Sequence, residues 1–282
     1  MESYITNRLS TLGHPQRLAL FRLLMRRYPD RVPATELARA LALKPNTLST
    51  YVNALMHAGL VTQERAGTSL RYAIDMDTAH QTIDYLMHDC CRGRPEICAP
   101  DVYSNHRRES LVGSAQYTVL FICSGNSTRS IFAEAILNDL AGNRFVAHSA
   151  GTKPRSELNP VALEVLEQMG HDVSVLRSKN VAEFQGADAP RFDFVFTVCN
   201  EAANEECSLW SGQPVSAHWG LSNPIQTDGS AAETSLAFRQ MYDGLHNRIA
   251  AFTALPFQSL DRLSLQKSLD EIGQFPKKGE QQ

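Results

Sequence analysis

In the N-terminal part of the chain, apolar residues recur at helical spacing. Further on they gather into short runs that end abruptly in polar loops. Over 15–27, Leu18, Phe21, Leu24 and Met25 share one side of a helix whose first turn holds Pro15. Pro29 and Pro33 punctuate the next loop, and 35–41 is a short helix carrying Leu37, Ala38 and Leu41. Leu43-Lys44-Pro45-Asn46 turns into a helix that runs to about Ala58, where Gly59 caps it. Two strand-like runs, 60–64 and 70–74, are joined by Arg65-Ala66-Gly67-Thr68-Ser69 as a hairpin, or wing, and 77–88 returns to helix.

The C-terminal part alternates strands and helices. An apolar run over 119–122 ends at Cys123, 131–140 is helical, 145–151 is a strand and turn, and 159–169 is a helix capped by Gly170. The nearly unbroken apolar run 192–198 suits a parallel sheet covered on both faces, and 234–255 is a long helix. This order predicts a doubly wound parallel-sheet α/β domain behind a mostly α winged helix-turn-helix. Beyond Pro256 an amphipathic stretch (Leu260, Leu263, Leu265, Leu269, Ile272) is expected to pack onto a domain surface. The expected divisions are 1–99, a polar linker over 100–115, 116–255, and a terminal helix and tail over 256–282.

Composition changes the picture in three ways. A hydrophobic content of 43% is ordinary for a globular protein. No apolar stretch is long enough for a bilayer and no signal-peptide pattern opens the chain, so a cytoplasmic protein without a membrane partner is expected. Net charge is −3, so a DNA site must be a local patch. In a reducing compartment the six cysteines suggest metal or redox chemistry more than structural bridges, and they fall into two groups of three.

The strongest chemical signal is Val119 to Ala135, VLFICSGNSTRSIFAEA, with Cys-x5-Arg between a strand and a helix. Such a loop turns backbone N–H groups toward one point, at which the helix also aims its positive end, and this binds a tetrahedral oxyanion. Ser124, Gly125, Asn126, Ser127, Thr128 and Arg129 form the expected cradle, with Gly125 and Asn126 suited to positive φ. Cys123 is the expected nucleophile, favoured as thiolate by the amides and by Arg129, whose planar fork can hold two oxygens. The segment resembles the phosphate loop of low-molecular-weight tyrosine phosphatases and of the thioredoxin-coupled arsenate reductases that share their fold, over about 116–255.

Within that resemblance, TVCNEAANEEC (Thr197 to Cys207) and Ala217-His218-Trp219-Gly220 favour the reductases. They imply that Cys123 attacks arsenate, Cys199 attacks Cys123 with release of arsenite, and Cys207 attacks Cys199 to present a disulfide to thioredoxin. Arg129 and the loop would hold the anion, Ser130 would donate to the Cys123 sulfur, and no tightly bound cofactor is implied. The chain departs from its relatives at Thr128, where phosphatases often carry a second cysteine, and at Asn223, where an Asp usually serves as acid. An amide cannot play that part, so hydrolysis of phosphate esters is expected to be weak or absent.

The N-terminal elements resemble ArsR-type metalloregulatory repressors over about 4–100, through LGHPQRLALFRLL, ELARALALKPNTLSTYVNALMHAGLV and the wing. The resemblance makes 45–55 the recognition helix, with Asn46, Thr47, Ser49, Thr50 and Tyr51 toward the major groove of an operator and Arg65 and Arg71 on phosphates. A basic residue common in the middle of that helix is replaced by Thr50. Such repressors pair their first and last helices as homodimers. A helix-turn-helix used for protein contacts is the alternative.

After the last of these helices, Cys90, Cys91 and Cys98 can meet across a Gly93–Pro95 turn. Three thiolates suit trivalent arsenite or antimonite, an arrangement that resembles the arsenite site of some ArsR-type repressors. Zinc would need a fourth ligand, for which His88 is nearest. Together the two halves read as an arsenite-responsive repressor fused to an arsenate reductase. A regulator whose second domain binds an oxyanion without turnover, and a weak tyrosine phosphatase fused to a DNA-binding module, remain as alternatives.

Overall fold

In a computed structural model, residues 2–92, 116–186, 189–205, 210, 214–224 and 230–275 are described. Cys98, the 100–115 linker and Cys207 lie outside them. The chain divides into two compact units, Met1–Asn105 and His106–Gln282, each with its own hydrophobic core.

The N-terminal unit opens on a helix absent from the sequence reading, α1 (Glu2–Leu12), followed by α2 (Pro15–Arg26), a short strand β1 (Val32–Pro33), α3 (Ala34–Ala40) and α4 (Pro45–His57). The wing is β2 (Val61–Ala66) and β3 (Ser69–Ile74), antiparallel with Gln63 opposite Tyr72, and β1 adds on the far side of β3. In α2 the buried stripe is Leu20, Leu23 and Leu24. Leu18, expected inside, is exposed, because the face toward α4 and β3 is offset from the stripe read off the sequence. α4 buries Leu48, Val52 and Leu55 and leaves its opposite face to solvent. α5 (Met76–Tyr85) starts at an Asp75 cap and widens into a π-helical turn, Leu86–Cys90, so Cys90 ends the helix rather than following it.

The C-terminal unit holds a four-stranded, wholly parallel sheet. Its strands are β4 (Tyr117–Cys123), β5 (Phe145–Gly151), β6 (Phe194–Thr197) and β7 (Val215–His218), in the order β5-β4-β6-β7. β4 is therefore flanked on both sides, by β5 after one crossover and by β6 after the next. The place where chain direction reverses is the usual site of a ligand crevice in such sheets. α6 (Arg129–Ala141) is buried from Arg129 through Leu137 because the sheet, α7 (Pro160–Gln168) and α9 (Ala231–Thr253) surround it. A five-residue helix, α8 (Asn200–Asn204), follows β6.

Phe196 stacks on Trp219 at 3.9 Å, and Phe252 meets Phe194 and Phe196 edge to face in the core. The terminal amphipathic stretch forms α10 (Arg262–Gly273) and belongs to this core: Leu269 and Ile272 are buried, and the Trp219 indole N–H donates to the Leu269 carbonyl at 3.0 Å. Arg248, buried in α9, donates to the carbonyls of Gly273 and Phe275 and ties the end of α10 down. No helix among the described residues is long and apolar enough to cross a membrane.

Candidate active site

The apolar run of β4 ends at Cys123 because the next residues must leave the sheet to form the loop. Cys123, 2% exposed, sits at the base of that loop. The Asn126 N–H donates to Cys123 Sγ at 3.2 Å, and Ser130 Oγ lies 3.0 Å from the same sulfur. Asn126 Nδ2 donates to Ser130 Oγ at 2.8 Å, which leaves the Ser130 hydroxyl hydrogen for the sulfur. Asn126 takes the left-handed conformation, φ 40°, whereas Gly125 does not, so only one of the two expected positions uses positive φ. Asn rather than glycine serves there because its side chain is fully used. Nδ2 also donates to Ser149 Oγ at 2.8 Å, and Oδ1 accepts the Lys179 N–H at 2.6 Å.

Ser149 Oγ in turn donates to Glu134 at 2.6 Å, and both Glu134 oxygens receive the Lys179 ammonium at 2.7 and 2.8 Å. This pair is buried, with side-chain exposures of 8% for Lys179 and 11% for Glu134. Gly151 closes the same corner, since a Cβ there would lie 2.8 Å from the Ser124 carbonyl oxygen and 3.0 Å from Asn126. The far side of the loop is fastened by N–H groups of Thr152, Lys153, Arg155 and Asn159 to the carbonyls of Cys123, Ser124, Gly125 and Ser127. Thr128 caps α6 with its buried hydroxyl unpaired among the described residues.

Arg129 begins α6 and is 9% exposed. Its Nη1 donates to the Leu221 carbonyl at 3.2 Å and stands 3.9 Å from Glu201 Oε2. Cys199 lies beyond the end of β6, as the N-cap of α8, rather than as the last residue of a strand. The Ser124 N–H donates to its sulfur at 3.2 Å and the Ala202 N–H at 3.4 Å, so Cys199 is seated against the Cys123 loop. Burial pushes the Cys199 thiol up to about 12, only partly opposed by Arg129. His218, buried at the end of β7, bridges Thr197 Oγ1 at 2.8 Å and Asn200 Oδ1 at 3.3 Å, and so joins strand end to helix start. A Cβ on Gly220 would fall 2.5 Å from His218 Nε2.

In the N-terminal unit, Asn46, Ser49 and Thr50 are exposed on α4, and Thr47 is half buried. The Ser49 and Thr50 hydroxyls fold back to the carbonyls of Pro45 and Asn46, each at 3.0 Å. Tyr51 departs from the expectation: it is half buried, packs on the core, and meets the His14 ring at 5.0 Å. Arg65 and Arg71 are exposed on the wing. Cys90 is exposed and Cys91 half buried. Among the described residues no group of three His, Cys, Asp or Glu side chains is arranged to hold a metal ion, and Cys98 is not among them.

Residues 118–266 match the low molecular weight phosphotyrosine protein phosphatase family, and the chain belongs to it. Residues 12–64 match a helix-turn-helix domain. The C-terminal half is 31% identical over 134 residues to an arsenate reductase of Shouchella clausii, covering 48% of this chain and 93% of that protein. It is 30% identical, with the same coverage, to an arsenate reductase of Bacillus subtilis. The crystal structure of an arsenate reductase from Archaeoglobus fulgidus is similar at 26% identity and a TM-score of 0.36, covering 47% of this chain and 98% of that one. The chain thus joins a helix-turn-helix domain to a phosphatase-fold domain similar to arsenate reductases.

Replacing Lys179 by Met strands the Glu134 carboxylate in the interior. We expect a loss of about 3–5 kcal/mol in urea unfolding, with much of it recovered in the Glu134→Gln/Lys179→Met double variant; an unchanged midpoint for the single variant would contradict this. Because burial raises the folded-state value of Cys199 above the ordinary 9.0, its contribution to stability is complete below pH 9.0 and is lost as pH rises through about 12. At pH 8, iodoacetamide should therefore modify Cys199 roughly 10²-fold more slowly in the folded than in the urea-unfolded chain; equal rates would refute the assignment.

Proposed function

We propose that this protein is an arsenite-responsive repressor fused to an arsenate reductase. The observation that carries the enzymatic half is the second buried thiol, Cys199, held by the Ser124 N–H of the Cys123 loop at 3.2 Å. Hydrolysis of a phosphate ester has no use for it; removal of an oxygen from arsenate does.

In the proposed sequence Ser124 to Arg129 hold arsenate, with Arg129 supplying the charge and the Thr128 hydroxyl a spare donor. The Cys123 sulfur bonds to arsenic and one oxygen leaves as water, with arsenic still pentavalent. Cys199 then attacks Cys123 Sγ. The sulfur–arsenic pair stays on arsenic, which departs as arsenite, and a Cys123–Cys199 disulfide remains. Cys207 attacks Cys199 and frees Cys123, and thioredoxin reduces the Cys199–Cys207 disulfide. The Ser130 hydroxyl supports the Cys123 thiolate from 3.0 Å. No tightly bound cofactor is needed, and the reaction belongs in the cytoplasm, where thioredoxin is kept reduced.

In the regulatory half, Asn46, Thr47, Ser49 and Thr50 read operator DNA, Tyr51 adds its exposed edge, and Arg65 and Arg71 meet phosphates. Arsenite is bound by Cys90, Cys91 and Cys98. Two copies pair through α1 and α5, whose shared groove is lined by Tyr4, Ile5, Arg8, Gln81 and Tyr85, with Tyr4 71% and Ile83 54% exposed. Cys90 lies in the π-helical turn that ends α5, so gathering three sulfurs around arsenic would rewind that turn and disturb the dimer. Asn223 favours a second reading, a regulator whose phosphatase-fold domain binds an oxyanion without turnover.

With arsenate, thioredoxin, thioredoxin reductase and NADPH, we expect arsenate-dependent NADPH loss in the wild type, none in Cys123→Ser, and at most one turnover in Cys207→Ser. No loss in any of them would establish the second reading. In an anisotropy titration on operator DNA, arsenite should release the wild-type protein, whereas Cys98→Ser should stay bound at the same concentration. Equal release would remove the three cysteines as the sensor.

A further inference from the structure

Breaking an arsenic–oxygen bond expels hydroxide unless a proton travels with the departing oxygen, and hydroxide is a poor leaving group. The groups that hold the anion cannot supply that proton. A guanidinium does not deprotonate in proteins, and the Asn223 side chain, two residues beyond the carbonyl that fixes Arg129, is an amide. Of the carboxylates close to the loop, Glu134 is locked to Lys179, and Glu205 pairs with Lys153 at 2.7 Å. Glu201 is placed differently. Its Oε2 is 3.9 Å from Arg129 Nη1, too far for a hydrogen bond, and its side chain is 49% exposed. An anion oxygen set to one side of the line between these two atoms can stand at ordinary hydrogen-bond distance, about 2.9 Å, from Arg129 and within similar reach of the carboxyl group. The rest of the side chain meets solvent, from which a proton can be replaced. Glu201 also sits in the first turn of α8, two residues after Cys199.

We propose that Glu201 is the proton carrier of the oxyanion site. As a carboxylic acid it protonates the oxygen that leaves when Cys123 attacks. As a carboxylate it then takes the thiol proton of Cys199 when the disulfide forms. This rests on the arsenate reductase reading. The steps balance. In the first, the Cys123 sulfur supplies the pair for the sulfur–arsenic bond, the arsenic–oxygen pair goes with hydroxide, and the Glu201 proton makes it water. In the second, Cys199 gives its proton to Glu201 and its pair to Cys123. The sulfur–arsenic pair reduces arsenic to the trivalent state, and water protonates the departing arsenite. Glu201 ends as it began, protonated. The charged and titratable groups around it are Arg129 from α6, the Cys199 thiol at the head of α8, and the Glu205–Lys153 pair at its end.

Two measurements on the full-length protein test this, with Glu201→Gln as the near-isosteric variant. Binding of inorganic phosphate, followed by calorimetry in buffers of different ionisation enthalpy between about pH 5 and 7, should take up a proton in the wild type that E201Q does not take up. In the thioredoxin-coupled assay E201Q should lose roughly 10²-fold in kcat with little change in KM, and adding Asn223→Asp to E201Q should restore a large part of the loss. Equal proton uptake by wild type and E201Q, or an E201Q enzyme as fast as wild type with the same pH profile, overturns the assignment. A wild type that takes up the proton but never reduces arsenate sinks the reductase reading alone.

Discussion

The candidate site depends on one side chain, the amide of Asn126. Its backbone occupies a conformation that costs a non-glycine residue energy, and three hydrogen bonds from the side chain hold it there. Through Ser130 it bears on the Cys123 sulfur; through Ser149 and the Lys179 backbone it is anchored to a buried ion pair. A buried pair adds little net stability over apolar packing but strongly penalises any arrangement that separates its charges. Here that penalty works on geometry. If the loop relaxed, the Ser149 hydroxyl and the Lys179 N–H would lose partners in a place water does not reach.

The sheet supplies the other half of the arrangement. Because β5 and β6 lie on opposite sides of β4, the carboxyl ends of β4 and β6 open side by side. Val198 still pairs with Ile122 just past β6, and the next residue is Cys199. Topology thus brings two thiols 76 positions apart in the chain to the same loop, with His218 on the neighbouring strand fixing the turn that carries Cys199. α10, fastened by Arg248 and Trp219, closes the outer side of that edge.

Much of this was legible in the sequence. The Cys-x5-Arg spacing between strand and helix located the loop, and the apolar run at 192–198 marked the second strand beside it. The turn at Pro45-Asn46 and the cap at Gly59 bounded α4. What escaped were contacts that local pattern cannot encode. Lys179 and Glu134 are 45 residues apart, and a lysine before Asn180 reads as any surface lysine. Gly151 looked like a turn residue, whereas its missing Cβ makes room for the loop. In α2 the periodicity was right but its phase was offset, because Leu18 and Leu24 could define a stripe as well as Leu20 and Leu24. Glu201 carried no signal, since an acidic residue in the first turn of a helix is ordinary.

Two thiols lodged against one loop are exposed to a hazard: a stray oxidant can join them in a disulfide while no substrate is present, which would block the Cys123 loop. The burial of Cys199 works against this. A thiol kept neutral is a poor nucleophile toward stray oxidants, and Cys199 is 0% exposed. It gains a worthwhile target only when the neighbouring sulfur already carries a good leaving group. In the proposed reductase cycle, the desolvation that keeps the thiol neutral would thus act as an interlock, releasing the second half only after the first has been completed.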